Sequence, residues 1–258
     1  MALSWRAKRQ LTYFGIFSAI IFLIVFLLIS FFRPSPTCFD RIQNQNEEGV
    51  DCGGPCDAGC LGDVKDVVVL WNRVFPISQS RYDVAMLIEN PNLFAGAPIV
   101  HYQIKMHDDK GVLVALRGGT TFINPQERFM IFESNVQTAN RIPVQASIEF
   151  EKILWERIEQ EKPDITAFNF AVTQFPAGRL DMSLRNGNFL PEEHLETAVA
   201  LLDESGNVFA VSKTRVESIR PESSTNVAFT WPFPLERAPA SIQSFIRKIP
   251  DAFLKSEI

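Results

Sequence analysis

The residues with the most chemistry to offer are four cysteines, Cys38, Cys52, Cys56 and Cys60, all inside the stretch CFDRIQNQNEEGVDCGGPCDAGC. Their spacing is C-x13-C-x3-C-x3-C. Disulfides, a zinc site and free thiols are the three chemistries open to such a cluster. Zinc sites show closely paired cysteines with a real separation between the pairs, whereas here Cys38 stands alone and the other three crowd together. An even number of clustered cysteines outside the cytoplasm reads as a disulfide framework, so two disulfides are expected. Spacing does not choose among the three pairings that four cysteines allow. The segment has almost no apolar side chains, so cross-links would have to replace a core. Gly53, Gly54 and Pro55 supply the tight turns between them.

The same stretch carries Asp40, Asn44, Asn46, Glu48 and Asp51. Oxygen side chains at alternate positions can ligate calcium, although the glycine and terminal glutamate of the EF-hand order are misplaced. The alternative reading is a solvated loop. No other cofactor is expected. His101, His107 and His194 lie at no metal-binding spacing with cysteines or paired carboxylates; the first two share one strand face about 20 Å apart. No G-x-S-x-G elbow, P-loop or dinucleotide glycine fingerprint occurs. The expectation is a protein that is not an enzyme. One aromatic group stands apart, Trp231-Pro232-Phe233-Pro234. Two prolines stop a regular strand and favour an extended path. Either the strand crosses between sheets with Trp231 buried, or Trp231 and Phe233 form a ridge that docks a partner.

These residues need elements to position them. Leu11–Phe32 reads LTYFGIFSAIIFLIVFLLISFF without a charge, long enough as a helix to cross a bilayer core. A signal peptide would carry a shorter apolar region of roughly 7–15 residues and a small-residue cleavage site; this run ends in Phe31-Phe32-Arg33-Pro34. An uncleaved anchor is expected. Arg6, Lys8 and Arg9 precede it and only Arg33 follows closely, which puts the N-terminus in the cytoplasm and residues 34–258 outside. All 30 acidic residues lie after the span, against 21 Lys and Arg beyond Arg33. That balance argues against nucleic acid as a partner and against docking on anionic headgroups.

Beyond Gly62 apolar and polar residues alternate, as in Val100, Tyr102, Ile104 and Met106, or Val144, Ala146, Ile148 and Phe150, or Leu180, Met182 and Leu184, or Val227, Phe229 and Trp231. Period two means half-buried strands. The turn signals between them repeat. Tyr82-Asp83-Val84 resembles Leu180-Asp181-Met182, and Asn90, Asp108, Pro125, Arg141 and Ala146 recur as Asn186, Asp203, Pro221, Arg237 and Ala240, offset by 94–96 residues. Two copies of an immunoglobulin-like β-sandwich are expected, divided near Glu159–Asp164. Ile104 and Leu201 should face equivalent interiors, and each copy should bury its own core across a linker with few crossing contacts. The run Ile242–Phe253 has helical apolar spacing that competes with the strand the repeat demands; strand is the expectation, since its loss would bare an apolar edge.

Two resemblances follow. Cys38, Asn44, Val50, Asp51, Cys52, Gly53, Gly54 and Cys56 match a C-x-D-G-x-x-N-x-x-E-x-x-V-D-C-G-G-x-C signature of secreted and surface-anchored proteins; Arg41 departs from its D-G. It implies location rather than activity. Ile88-Glu89-Asn90-Pro91-Asn92, Asp108–Gly111 and Phe122 with Pro125, and more loosely Asn186-Gly187-Asn188, Asp203–Gly206 and Thr214–Pro221, resemble the FxLyD and late-embryogenesis-abundant-like β-sandwich domains. Those occur in tandem on membrane-anchored bacterial proteins, and they supply no catalytic residues. The organisation expected is mainly β: tail 1–10, membrane anchor 11–32, Cys-rich stalk 33–62, sandwich 63–160 and sandwich 161–258. The expected role is an interaction or structural protein of the bacterial cytoplasmic membrane that meets the bilayer through Leu11–Phe32 and another envelope protein outside it. A small-ligand or calcium-binding accessory module is the alternative.

Overall fold

A helix satisfies its backbone groups within its own segment and suits an apolar run of this length, and Trp5–Phe31 forms one, α1. It starts before Leu11, because Arg6, Lys8 and Gln10 are good helix formers that carry it into the basic segment. Arg9 there lies over the rings of Trp5 and Tyr13 at 5.2 and 5.9 Å. α1 is long and apolar enough to span a membrane through Arg9–Leu27. The computed structural model describes residues 5–31, 37–40, 42–56, 60–139, 141–158 and 162–256. Phe32, Arg33, Arg41 and Glu159–Glu161, on which parts of the anchor, signature and boundary readings fall, lie outside them. Met1–Cys60 and Leu61–Ile258 are separate compact units.

The second unit is built from antiparallel strands. In its first half β1 (Val68–Ser78), β2 (Arg81–Glu89) and β5 (Arg128–Gln137) form one sheet in the order β1-β2-β5. β3 (Ala95–His107), β4 (Leu113–Ile123) and β6 (Gln145–Phe150) form another in the order β4-β3-β6, with the short β7 (Glu156–Arg157) on β3. The second half repeats the plan: β8 (Ile165–Thr173), β9 (Arg179–Asn186) and β12 (Ser224–Thr230) in the order β12-β9-β8, then β10 (Glu192–Leu202), β11 (Val208–Ile219) and β13 (Ser241–Lys248) in the order β11-β10-β13. Adding seven to each strand number from β1 to β6 converts one half into the other. Each half is a β-sandwich with its own core. Val84, Met86, Ile88, Ile104 and Met106 centre the first, and Leu180, Met182, Leu184 and Leu201 the second. Ile104 and Leu201 are both wholly buried. Ile242 lies in strand β13; the helical spacing of that run reflects a strand followed by a short helix, α2 (Asp251–Ser256). Val144 is exposed and lies just ahead of β6, where its N–H bonds His107 O at the sheet end (2.9 Å).

The repeated turns use the same bonds. Asp108 Oδ1 accepts the N–H groups of Lys110 and Val112 (3.0 and 2.9 Å), and Asp203 Oδ1 those of Ser205 and Asn207 at the same distances. Gly111 and Gly206 follow with φ of 74° and 78°, a region open to glycine. Arg141 clamps Asp108 at 2.9 Å and Arg237 clamps Asp203 at 3.3 Å. At the other end sits a buried asparagine in each copy. Asn90 donates to Ala95 O and Asn124 O (both 2.8 Å) and accepts Asn92 N (3.1 Å). Asn186 donates to Leu190 O and Ile219 O (2.8 and 3.1 Å) and accepts Asn188 N (2.8 Å). The proline of the first Asn-Pro-Asn is replaced by Gly187 because Gly187 N–H donates to Asp164 O at 2.9 Å, which proline cannot do. A side chain there would also strike the Asp164 carboxylate.

The expectation of few contacts across the linker does not hold. Ala85, Leu87 and Met130 of the first copy and Ala198, Ala200, Leu202 and Val211 of the second form a third buried apolar cluster. Sheet β1-β2-β5 therefore stacks on sheet β11-β10-β13, and β2 and β10 are buried on both faces rather than one. The copies differ where this requires. The outward residues of β10, Ala198, Ala200 and Leu202, correspond to His101, Gln103 and Lys105 on β3, while Ala85 and Leu87 of β2 correspond to Ser183 and Arg185 on β9. Each copy made apolar only the outer face that meets the other.

The two asparagines yield a paired prediction. Asn90→Ala and Asn186→Ala each strand buried carbonyls and should each lower stability by about 2–3 kcal/mol. Chemical denaturation of the two variants should agree within about 1 kcal/mol if the turns are equivalent.

Candidate interaction site at the sandwich junction

The Cys-rich segment organises itself around disulfides and one carboxylate. Cys38 pairs with Cys56 and Cys52 with Cys60. Glu47, on which the E of the C-x-D-G signature falls when counted from Cys38, is buried at 6% exposure. Its Oε2 accepts the N–H groups of Asn44 and Asp51, both at 3.2 Å. Ligating atoms of Cys38, Glu47 and Cys56 converge, but both sulfurs are in the disulfide, so no thiolate is offered to a metal. Among the calcium candidates, Asp40 spends its carboxylate on Asn44 Nδ2 (2.8 Å), Thr37 N (3.1 Å) and Ile42 N (2.9 Å). The Asn44 amide, with these N–H groups, holds the Asp40 carboxyl below its ordinary range. Asn46 and Asp51 adopt left-handed backbone with φ of 66° and 55°, and Glu48 N–H bonds Cys52 O at 3.1 Å. Asp40, Glu48 and Asp51 do not converge as a ligand set among the described residues. Gly53 and Gly54 are also left-handed, and a side chain on Gly54 would strike the Asn46 carbonyl.

The histidines stay apart. His101 Nδ1 lies 3.1 Å from Thr120 Oγ1, and His194 Nδ1 lies 3.6 Å from a Glu217 oxygen.

The strongest concentration of buried polar chemistry lies where the sandwiches meet. Arg247, on β13 and 4% exposed, reaches into the first copy. Its Nη1 donates to Phe122 O (3.0 Å) and its Nη2 to Thr121 Oγ1 (2.9 Å). The guanidinium lies 3.8 Å from the ring centre of Phe122 and 4.8 Å from that of Phe129, stacking that suits its planar, weakly hydrated cation. Its Nε donates to Glu196 Oε1 at 2.8 Å from the adjacent strand β10, and Lys213 reaches the other oxygen at 3.3 Å. Burial pushes the Glu196 carboxyl up, and Arg247 and Lys213 more than offset it, so it stays below its ordinary range. Asn124 Nδ2 adds a crossing bond to Lys248 O (3.0 Å). Phe253 of α2 meets the Phe122 ring edge-on at 5.1 Å. Glu127 borders this network and a cavity of about 260 Å³. Burial pushes its carboxyl up to about 7; Arg247 and the Asn124 N–H oppose the rise and Glu196 adds to it.

At the other end of the junction a cleft of about 350 Å³ holds both residues of the aromatic ridge, Trp231 and Phe233. Trp231 is half-buried against the second core and donates its Nε1–H to Val211 O at 2.9 Å. Trp231 N–H bonds Gly178 O (2.9 Å) and Gly178 N–H bonds Phe233 O (2.8 Å), so the ridge is pinned along the β8–β9 loop. Phe233 remains 48% exposed. Trp231 is thus the half-buried end of the segment and Phe233 the exposed one. Phe75 and Asp83 of the first copy and Phe209 of the second complete the walls. Sequence alone did not join these, because the cleft exists only where non-equivalent faces of the two copies meet.

No family model matches the chain, and no curated protein matches it. Among solved structures it is similar to the crystal structure of red sea bream transglutaminase, at 10% identity and a TM-score of 0.22, over 71% of this chain and 28% of that one. The chain therefore spans well under half of the length of that protein.

Two outcomes are expected at the junction. Arg247→Met leaves the buried Glu196 with Lys213 as its one remaining cation and should destabilise by about 3–5 kcal/mol, whereas the double variant Arg247→Met/Glu196→Leu should regain at least about half of that; a denaturation double-mutant cycle reads both. Glu127 keeps its proton in the folded state to about pH 7 and releases it near the ordinary value of 4.5 when unfolded. Its contribution is most favourable below the lower value and is lost as pH rises towards the upper. Glu127→Gln should remove that slope and gain about 1–3 kcal/mol at pH 8 relative to wild type, measured by denaturation at a series of pH values.

Proposed function

We propose that this chain is a non-catalytic interaction protein of a bacterial cell envelope. It is held by α1 with the N-terminus in the cytoplasm and presents its two sandwiches outside. The orientation is supported by Arg6, Lys8 and Arg9 ahead of the span and by the acidic excess beyond it. Two disulfides within four clustered cysteines are supported chemistry for an oxidising compartment. The resemblance of the repeated turns to tandem FxLyD and late-embryogenesis-abundant-like domains agrees with a display role.

The observation that carries the reading is the exposed Phe233, flanked by Pro232 and Pro234, at the mouth of the junction cleft. Rigid aromatic and proline surface offers contact area at little conformational cost. A photoreactive phenylalanine at position 233 of the full chain in native membranes should give discrete protein adducts. The same group at Leu116, exposed on β4, should not. Adducts of equal yield from both positions, or none from 233, would remove the ridge as a docking surface.

A further inference from the structure

The copies carry the same Arg-x-Asp triplet at the start of equivalent strands, Arg81-Tyr82-Asp83 on β2 and Arg179-Leu180-Asp181 on β9. They use it differently. Arg179 grips Asp181 with two bonds of 2.6 and 2.7 Å, and that grip holds the Asp181 carboxyl below its ordinary range. Asp83 has no basic partner among the described residues; its Oδ1 accepts the Asn135 N–H at 2.9 Å. Burial pushes its carboxyl up instead. The reason is position. Asp83 continues the row Asp83, Ala85, Leu87 on the face of β2 that meets the second sandwich, and so it turns into the cleft.

The surroundings of that carboxylate are aromatic. Phe75 is its direct cross-strand neighbour, and Phe209, Trp231 and Phe233 line the same cleft together with the carboxylate of Glu236. No lysine, arginine or histidine lines it. The rim already holds one cation: the Arg237 guanidinium lies 5.6 Å from the ring centre of Phe209 and 3.6 Å from a Glu236 oxygen, so Glu236 is paired and Asp83 is the carboxylate left without a cation. Aromatic faces attract cations through the ring quadrupole, most strongly for weakly hydrated alkylammonium groups. A half-buried carboxylate without a cation is a standing electrostatic deficit that such a group relieves.

We propose that the junction cleft is a binding site for an alkylammonium group, with Asp83 as counter-ion and Phe75, Phe209, Trp231 and Phe233 as the aromatic walls. This deepens the docking reading by naming the chemistry the ridge takes. The group is a lysine side chain of the partner protein, the source that the docking reading requires.

The test follows the Trp231 indole N–H resonance of the full chain in detergent micelles. Choline and an acetylated, amidated lysine are titrated against 3,3-dimethylbutanol, the uncharged analogue of choline. A saturable shift is expected with the lysine derivative, and binding of the uncharged analogue should be about 10-fold weaker or worse. Saturation by the lysine derivative supports a protein side chain, and saturation by choline alone assigns a free amine and overturns the lysine source. Asp83→Asn should weaken cation binding about 10-fold, and Arg81→Ala should leave it unchanged. Should Asp83→Asn fail to fold, Phe233→Leu replaces it and should also weaken binding. Equal affinity for the uncharged analogue, undiminished binding in the variants, or no saturable shift overturns the proposal. Crosslinking at position 233 would still stand in that event, so failure here is separable from failure of the docking reading.

Discussion

One arginine fixes how the two sandwiches meet. Apolar sheet faces attract each other without direction, so the stacking of β1-β2-β5 on β11-β10-β13 could by itself slide or rotate. Arg247 removes that freedom. It must meet Glu196 on its own sheet, Phe122 O and Thr121 Oγ1 on the other copy, and the faces of Phe122 and Phe129, all at once. Desolvating the pair is costly, and a well-packed apolar substitute would serve stability as well or better. What the pair adds is geometry. The position of Phe253 on Phe122, of Glu127 beside the network and of the aromatic cleft at the far end all depend on this one docking.

The duplication shows how an identical plan acquires different surfaces. The turn devices, Asn90 with Asn186 and Asp108 with Asp203, are kept because they complete each sandwich internally. The outer faces differ. His101, Gln103 and Lys105 are polar on β3, while their counterparts Ala198, Ala200 and Leu202 on β10 are apolar. The contact is heterologous: it joins the sheet of β2 to the sheet of β10, not one sheet to its own equivalent. A heterologous junction leaves non-equivalent ends exposed, and at one of them Asp83 and the Trp231 ridge come together.

The Cys-rich segment solves a different problem. It is too short and too polar to bury a core. Two cross-links and the buried Glu47 carboxylate, receiving two backbone N–H groups, take that place. Left-handed residues at Asn46, Asp51, Gly53 and Gly54 give the chain the sharp turns this demands.

By itself the sequence determined the local and periodic features. An uncharged apolar run of this length exceeds an ordinary strand and suits a helix, which satisfies its own backbone groups. Alternation at Val100–Met106 and Leu180–Leu184 had to give strands with one face inward, and the repeat register paired Ile104 with Leu201. Those follow from neighbours along the chain. The apolar runs at Val84–Ile88 and Ala198–Leu202 also carried the sign of strands buried on both faces, but a continuous run does not name what covers its second face. Only the tertiary structure decided that each covers the other, that Cys38 joins Cys56, that Glu47 rather than Glu48 is buried, and that Asp83 faces aromatic rings from the second copy while Asp181 is held by Arg179. The covering of β2 by β10 and the aromatic surroundings of Asp83 rest on contacts between residues far apart in sequence, chosen by the packing of whole sheets; the Cys38–Cys56 pairing and the burial of Glu47 rest on how one short segment folds back on itself.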